Sequence, residues 1–85
     1  MKVLIPSALH SYTRSNRAEA SGSTLDAVLL DLDRQYPGIR FRIIDEQQRV
    51  RRHIRLFVNG ASADTLSHSM HPDDELIIVQ ALSGG

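Results

Sequence analysis

The sequence predicts an α+β fold in which one main helix packs on one face of a mixed sheet of four or five strands. Three observations predict it. Leu25, Val28, Leu29 and Leu32 follow the spacing of a single helical stripe. Two runs in the C-terminal half, 54–58 and 75–82, have strand character: Ile54, Leu56 and Val58 alternate with Arg55 and Phe57, and the second is the most β-prone run in the chain. A chain of 85 residues buries only about 60% of its unfolded surface and holds a single core, and one helix on one sheet is the smallest α+β arrangement that hides both apolar faces.

In chain order, Val3 and Ile5 alternate with Lys2 and Leu4 before Pro6, giving a first strand that ends at or just past residue 8. The polar stretch 11–16 is turn-prone, and Arg17-Ala18-Glu19-Ala20 is expected to return antiparallel until Ser21-Gly22 stops it. Ser23 or Thr24 caps the helix, with Asp26, Asp31 and Asp33 facing away from the stripe and Tyr36 one turn beyond it. Pro37 disfavours a helical residue before it and Gly38 supplies a turn. Phe41, Ile43 and Ile44 predict a short strand, followed by a solvated loop at 45–48. Asn59-Gly60 marks a tight turn after the 54–58 strand. Residues 61–74 form an irregular turn over Leu66 and Met70, and Pro72-Asp73-Asp74 a second turn. The expected order is β-β-α-β-β-β, with a domain over 1–82 and a loose tail, Ser83-Gly84-Gly85.

Composition narrows the chemistry. Ten basic and ten acidic residues cancel, but residues 1–33 carry −1, 34–55 carry +5 and 56–85 carry −4. That polarity suits docking to a complementary protein surface better than the broad phosphate-neutralising footprint of a nucleic-acid binder. The sequence has no cysteine, which removes disulfides, thiolate metal sites and thiol nucleophiles and points to a reducing compartment. The opening apolar run is too short for a signal peptide and no window approaches a membrane span, so a soluble cytoplasmic protein is expected.

From end to end the chain resembles the ThiS/MoaD family of sulfur carrier proteins, nearest to its CysO-like branch. The residues that carry the resemblance are Ile5-Pro6-Ser7-Ala8-Leu9, Ala20-Ser21-Gly22-Ser23-Thr24-Leu25, the stretch 31–39 leaving the helix, Phe57-Val58-Asn59-Gly60, Asp73-Asp74-Glu75-Leu76 and the terminal Gly84-Gly85. It departs from the family pattern at Asp73, where a glycine is usual, and at 80–83, where a proline is usual. The resemblance implies a ubiquitin-like β-grasp fold and a protein that is a substrate of other enzymes rather than an enzyme. Its Gly85 carboxylate would be adenylated by a ubiquitin-activating-type enzyme that uses ATP. It would then become a thiocarboxylate that donates sulfur to an acceptor enzyme such as a cysteine synthase, with no cofactor bound by the chain itself. A small subunit of molybdopterin synthase and a ubiquitin-like protein modifier are the alternatives.

The residue chemistry agrees with that implication. Without cysteine, the main-chain carboxylate of Gly85 is the place where this chain could carry activated sulfur, and it needs a leaving group such as AMP before a nucleophile can attack. Gly84 and Gly85 lack Cβ atoms and let the backbone thread a narrow channel. If Ile54, Leu56, Val58, Leu76 and Ile78 face the helix, then Arg55, Phe57, Ile77 and Val79 face outward and leave an apolar patch for partner docking. His68 and His71, three apart, are the nearest approach to a metal motif, with only His10, His53 or carboxylates to complete a shell, so no metal is expected. Ser7, Ser11 and His10 lack a nucleophile elbow. The Arg49-Val50-Arg51-Arg52-His53-Ile54-Arg55 run lacks interleaved aromatics, so a protein-docking or solvated edge is expected rather than nucleic acid. The free chain is expected to be a monomer with no membrane partner.

Overall fold

Five strands form one sheet in the computed structural model, which describes residues 1–81. They are β1 (Lys2–Leu4), β2 (Arg17–Glu19), β3 (Ile54–Val58), β4 (Ala61–Ser62) and β5 (Glu75–Gln80), in the spatial order β2-β1-β5-β3-β4. β1 runs parallel to β5, and the remaining pairs are antiparallel. A helix across one face of a sheet whose first and last strands lie side by side in its interior is the β-grasp arrangement. Among the described residues no helix is long and apolar enough to cross a membrane.

The helix α2 (Leu25–Gln35) forms where the apolar stripe predicts it. Thr24 caps it, its hydroxyl oxygen accepting from the Ala27 N–H at 3.2 Å, and Leu25, Val28, Leu29 and Leu32 are completely buried. They pack with Val3, Ile54, Leu56, Val58, Leu76 and Ile78 from the sheet. Truncating any one of these leucines to alanine would cost about 2–5 kcal/mol, because the transfer energy and the unfilled cavity add. Gly22 sits against the start of α2: a Cβ there would lie 2.6 Å from the Val28 backbone nitrogen.

The expected strand at Phe41, Ile43 and Ile44 is a helix, α3 (Ile39–Ile43). Ile39 and Ile43, four apart, are both fully buried, whereas Phe41 between them is 57% exposed, which is helical and not strand periodicity. The Asp33 carboxylate accepts from the N–H groups of Gly38 and Arg40 and fixes the start of this turn. Asp26 does not simply face solvent, since it pairs with Arg40 at 2.7 Å and ties α2 to α3. Ile44, also fully buried, forms an isolated bridge to Val50 rather than part of a strand.

The first strand is shorter than expected. Past Leu4 and Ile5 the chain makes a 3₁₀ turn, Ser7–Leu9, that runs into α1 (His10–Thr13), where a polar loop was expected; Leu9 and Thr13, four apart, supply its buried side. Asn59 and Gly60 both take positive φ, 51° and 87°, as the two central residues of a tight hairpin with the right-handed twist of its strands require. That hairpin creates β4, a strand with no signal of its own. Met70 is buried and Leu66 packs against the core, as the 61–74 segment predicts. β5 ends at Gln80 and Ala81 donates its N–H to the His53 carbonyl. The end of the expected strand at Leu82 and the expected tail Ser83-Gly84-Gly85 lie outside the described residues.

Candidate functional site

The two faces of β3 and β5 divide as period two requires. Ile54, Leu56, Val58, Leu76 and Ile78 are buried on the helix side of the sheet, while Arg55 and Val79 are exposed and Phe57 and Ile77 are half-buried on the opposite face. Strand register then assembles the outer residues. Phe57 lies opposite Ile77 and Arg55 opposite Val79 across β3 and β5. Leu4 lies beside Ile77 across the parallel pair β1 and β5. Leu4, Ile77 and Phe57 therefore form one apolar row over three neighbouring strands, about 10 Å across at the usual strand spacing. Leu4 was not among the residues expected there. Its outward phase is readable from the alternation in β1, but its place beside Ile77 depends on a parallel pairing that no local pattern encodes.

Charges frame the row. Lys2 and Glu75, neighbours across β1 and β5, pair at 3.0 Å on the same face. Arg17 flanks Leu4 on β2. The Arg55 guanidinium folds back on its own chain and donates to the carbonyls of Arg52 and Ile54. Such exposed pairs contribute little stability but surround an apolar centre with polar groups, the usual anatomy of a docking surface.

The acidic turn lies at the opposite end of β5 from Gln80. Asp74 precedes β5, and the strand carries the backbone about 17 Å from Glu75 to Gln80 at the usual rise per residue. The Asp74 carboxylate accepts from the Asn59 side-chain amide and from the His71 N–H, both at 2.8 Å, and these bonds hold its pKa below the usual carboxylate value. Asn59 in turn accepts from the Glu75 N–H at 3.0 Å. The motif thus locks the β3–β4 hairpin to the start of β5, a structural role. His71 is exposed, with Nδ1 3.6 Å from Asp74, and His68 is exposed as well. Among the described residues no three histidine, aspartate or glutamate side chains gather to hold a metal ion.

Gly85, Gly84 and Ser83 lie outside the described residues, so the geometry bears on them only through the strand that leads to them. That strand is β5, central in the sheet, with Ile77 and Val79 on its outer side. The sequence matches the ThiS family over residues 3–85, a span that includes the glycine pair. The chain belongs to the ThiS family. Sulfur carrier protein CysO of Mycobacterium tuberculosis is 32% identical over 89 residues, covering 98% of this chain and 96% of the relative. The crystal structure of that relative matches with a TM-score of 0.88 at 30% identity, over 95% of this chain and 98% of the other. A chain in the crystal structure of the BexX/CysO complex of Amycolatopsis orientalis matches with a TM-score of 0.90 at 28% identity, over 99% and 98% of the two chains. The small archaeal modifier protein 1 of Methanosarcina acetivorans matches with a TM-score of 0.80 at 26% identity, over 99% and 94%. These matches establish the ubiquitin-like β-grasp for this ThiS-family chain.

Proposed function

We propose that this protein is a sulfur carrier of the CysO kind, a substrate of partner enzymes that works in the cytoplasm and serves cysteine biosynthesis. The observation that carries the reading is the near full-length likeness to CysO, within a family match that runs through Gly85. In the proposed cycle a carboxylate oxygen of Gly85 attacks the α-phosphorus of ATP on an adenylating enzyme, releasing pyrophosphate and leaving an acyl adenylate. A sulfide-level nucleophile then attacks the acyl carbon, AMP departs with the bonding pair, and the thiocarboxylate remains to pass its sulfur to an acceptor such as a cysteine synthase. The chain supplies no catalytic group and holds no cofactor of its own, ATP being bound by the partner. Its contribution is a docking face and a chain end narrow enough to enter another protein's site.

The outer row supports this reading. Leu4, Ile77, Phe57 and Val79 lie on or beside the strand that leads to Gly85, and a partner seated there is within reach of the terminus. The six residues 80–85 span at most about 20 Å when extended. Arg55 at the edge of the row would pair with an acidic group on the partner. Free of partners, the chain is monomeric in this reading.

Intact mass tests it. With an adenylating enzyme from the same host, ATP and a sulfur donor, replacement of one oxygen by sulfur adds about 16 Da at Gly85, as acyl activation followed by sulfur attack requires. Deleting Gly85 should abolish the gain while leaving melting nearly unchanged, because removing one residue withdraws the carboxylate by up to about 3.5 Å. An unchanged mass, or sulfur on an internal side chain, refutes the proposal. The likeness to a small archaeal modifier protein favours one second reading, conjugation of Gly85 to lysines of other proteins. A ladder of isopeptide-linked species in the host would identify it.

A further inference from the structure

A cleft of about 500 Å³ opens on the far side of β5 from the apolar row, where α1, α3 and the segment entering β3 converge. Leu9 and Ile54 lie at its base, Tyr12, Phe41, Arg42 and Arg51 line it, and Gln80 brings the end of β5 to its edge. Its polar groups are arranged in a particular way. Arg42 Nε donates to the Tyr12 hydroxyl oxygen at 3.0 Å, and Arg51 Nε donates to the Phe41 carbonyl at 2.6 Å. The Arg51 guanidinium also lies over the Phe41 ring, 4.6 Å from its centroid. Each guanidinium is thus anchored through Nε, and among the described residues neither makes a hydrogen bond through its two Nη groups. Those are the donors that grip a carboxylate in fork geometry.

The other charges nearby do not satisfy them. Arg34 and Arg40 are paired with Asp31 and Asp26. Asp45, the carboxylate closest in sequence to Arg42, accepts from the backbone N–H groups of Gln47 and Arg49. Among the described residues, Arg42 and Arg51 have no carboxylate within ion-pair distance.

We propose that this cleft receives an acidic segment of a partner protein, with one carboxylate for each Nη fork and an apolar side chain seated against Phe41 and Leu9. Charge complementarity selects the occupant. Residues 34–55 carry +5, and two of their arginines, Arg42 and Arg51, line the concave apolar base, whereas residues 56–85 carry −4. A nucleic acid would gain from the first and be repelled by the second, since its charge continues beyond the cleft. A short acidic peptide ends where the basic surface ends. Phe41, more than half exposed on a helix that buries its neighbours Ile39 and Ile43, gives such a peptide its apolar contact. The inference stands on the chemistry of the cleft and does not require the sulfur-carrier reading.

The test is an NMR titration of the ¹⁵N-labelled protein with a short peptide alternating glutamate and leucine. The expected result is amide shifts confined to Tyr12, Phe41, Arg42, Arg51, His53 and Gln80, weakened by salt and absent with the matching lysine–leucine peptide. Arg42→Glu and Arg51→Glu should each weaken binding by about tenfold or more, as reversal of a charge partner does. Arg51 bonds to the main chain and its replacement could disturb the fold. Among the described residues the Arg42 side chain hydrogen-bonds only to the Tyr12 hydroxyl, so Arg42→Glu with an otherwise native spectrum carries the test alone. No binding, shifts on the outer sheet face, or affinity indifferent to Arg42→Glu overturns the proposal. So does tighter binding of oligo-dT at the same residues, which would make the occupant a nucleic acid. Movement of these amides with protein concentration alone would make it a second copy of the chain.

Discussion

Phe57→Ala separates folding from docking, because the ring belongs to the outer row and not to the core. It stands opposite Ile77 and is half-buried, whereas Leu56 and Val58 on either side of it point under α2. Truncation opens no enclosed cavity. The loss to folding is the lateral pair with Ile77, about 0.2–1 kcal/mol, plus partial burial of the ring worth about 1 kcal/mol. A domain of this size has roughly 4–13 kcal/mol in hand, so the variant stays folded with a melting temperature lowered by several degrees. In the proposed docking the same ring anchors the β3 end of the row, and truncating an interface anchor costs about 1–3 kcal/mol, or about 5- to 150-fold in affinity. The assay pairs thermal melting with kcat/KM for pyrophosphate release by the proposed adenylating enzyme, where the expected change is a raised KM. A folded variant with unchanged kcat/KM would remove the row from function. A variant losing well over 3 kcal/mol of stability would show that the ring is part of the core.

Two further outcomes concern the frame that holds these faces. Gly22→Ala should destabilise the domain by about 1–3 kcal/mol in denaturant titration, since its Cβ would meet the backbone of α2 at 2.6 Å and one of the two must move; unchanged stability would mean that α2 shifts at no cost. Asp74 has a folded-state pKa held below its ordinary value by the Asn59 and His71 donors, so its ionised form contributes stability that is present above the unfolded pKa and lost as pH falls through the folded one. Asp74→Asn should therefore lower stability at neutral pH and flatten its decline below about pH 4, the ordinary aspartate range. An acid limb of the same slope in the variant would assign that decline to other carboxylates.

The parts of the fold that were legible from the sequence are those in which one periodicity has no competitor. α2 carries four stripe residues, a capping Thr24 and a stopping Pro37, and β3 alternates without a break into Asn59-Gly60, whose conformation only a few residue types adopt readily. The segment 39–44 is too short for that. Phe41 and Ile43 fit period two, Ile39 and Ile43 fit the helix, and the choice is made from outside by the Asp33 cap and the Asp26–Arg40 pair. The Ser7–Thr13 turns are equally ambiguous, with only Leu9 and Thr13 marking a buried side. β4 exists solely because the hairpin returns two residues to β3. The site divides in the same way. Period two assigns Arg55, Phe57, Ile77 and Val79 to the outer face, but pairing alone places Leu4 among them, and the cleft unites Tyr12, Phe41 and Arg51 from segments that share no pattern.

The position of β5 explains why one small domain has two distinct surfaces for the proposed docking. A central strand in a single-layer sheet has both faces committed: Leu76 and Ile78 face α2, and Ile77 and Val79 face outward beside Leu4 and Phe57. At its last residue the alternation turns Gln80 to the helix side, but there α2 no longer covers the sheet, and α1 and α3 leave the cleft instead. Gln80 and Ala81, the last described residues, therefore lie between an apolar row on one face and two anchored guanidiniums on the other. A partner holding only the row could rotate about it, because an apolar contact about 10 Å wide has little orientational preference. Carboxylates in the Arg42 and Arg51 forks would add direction as well as attraction, and under the proposed function a chain end that enters a narrow site needs its direction fixed more than it needs additional affinity.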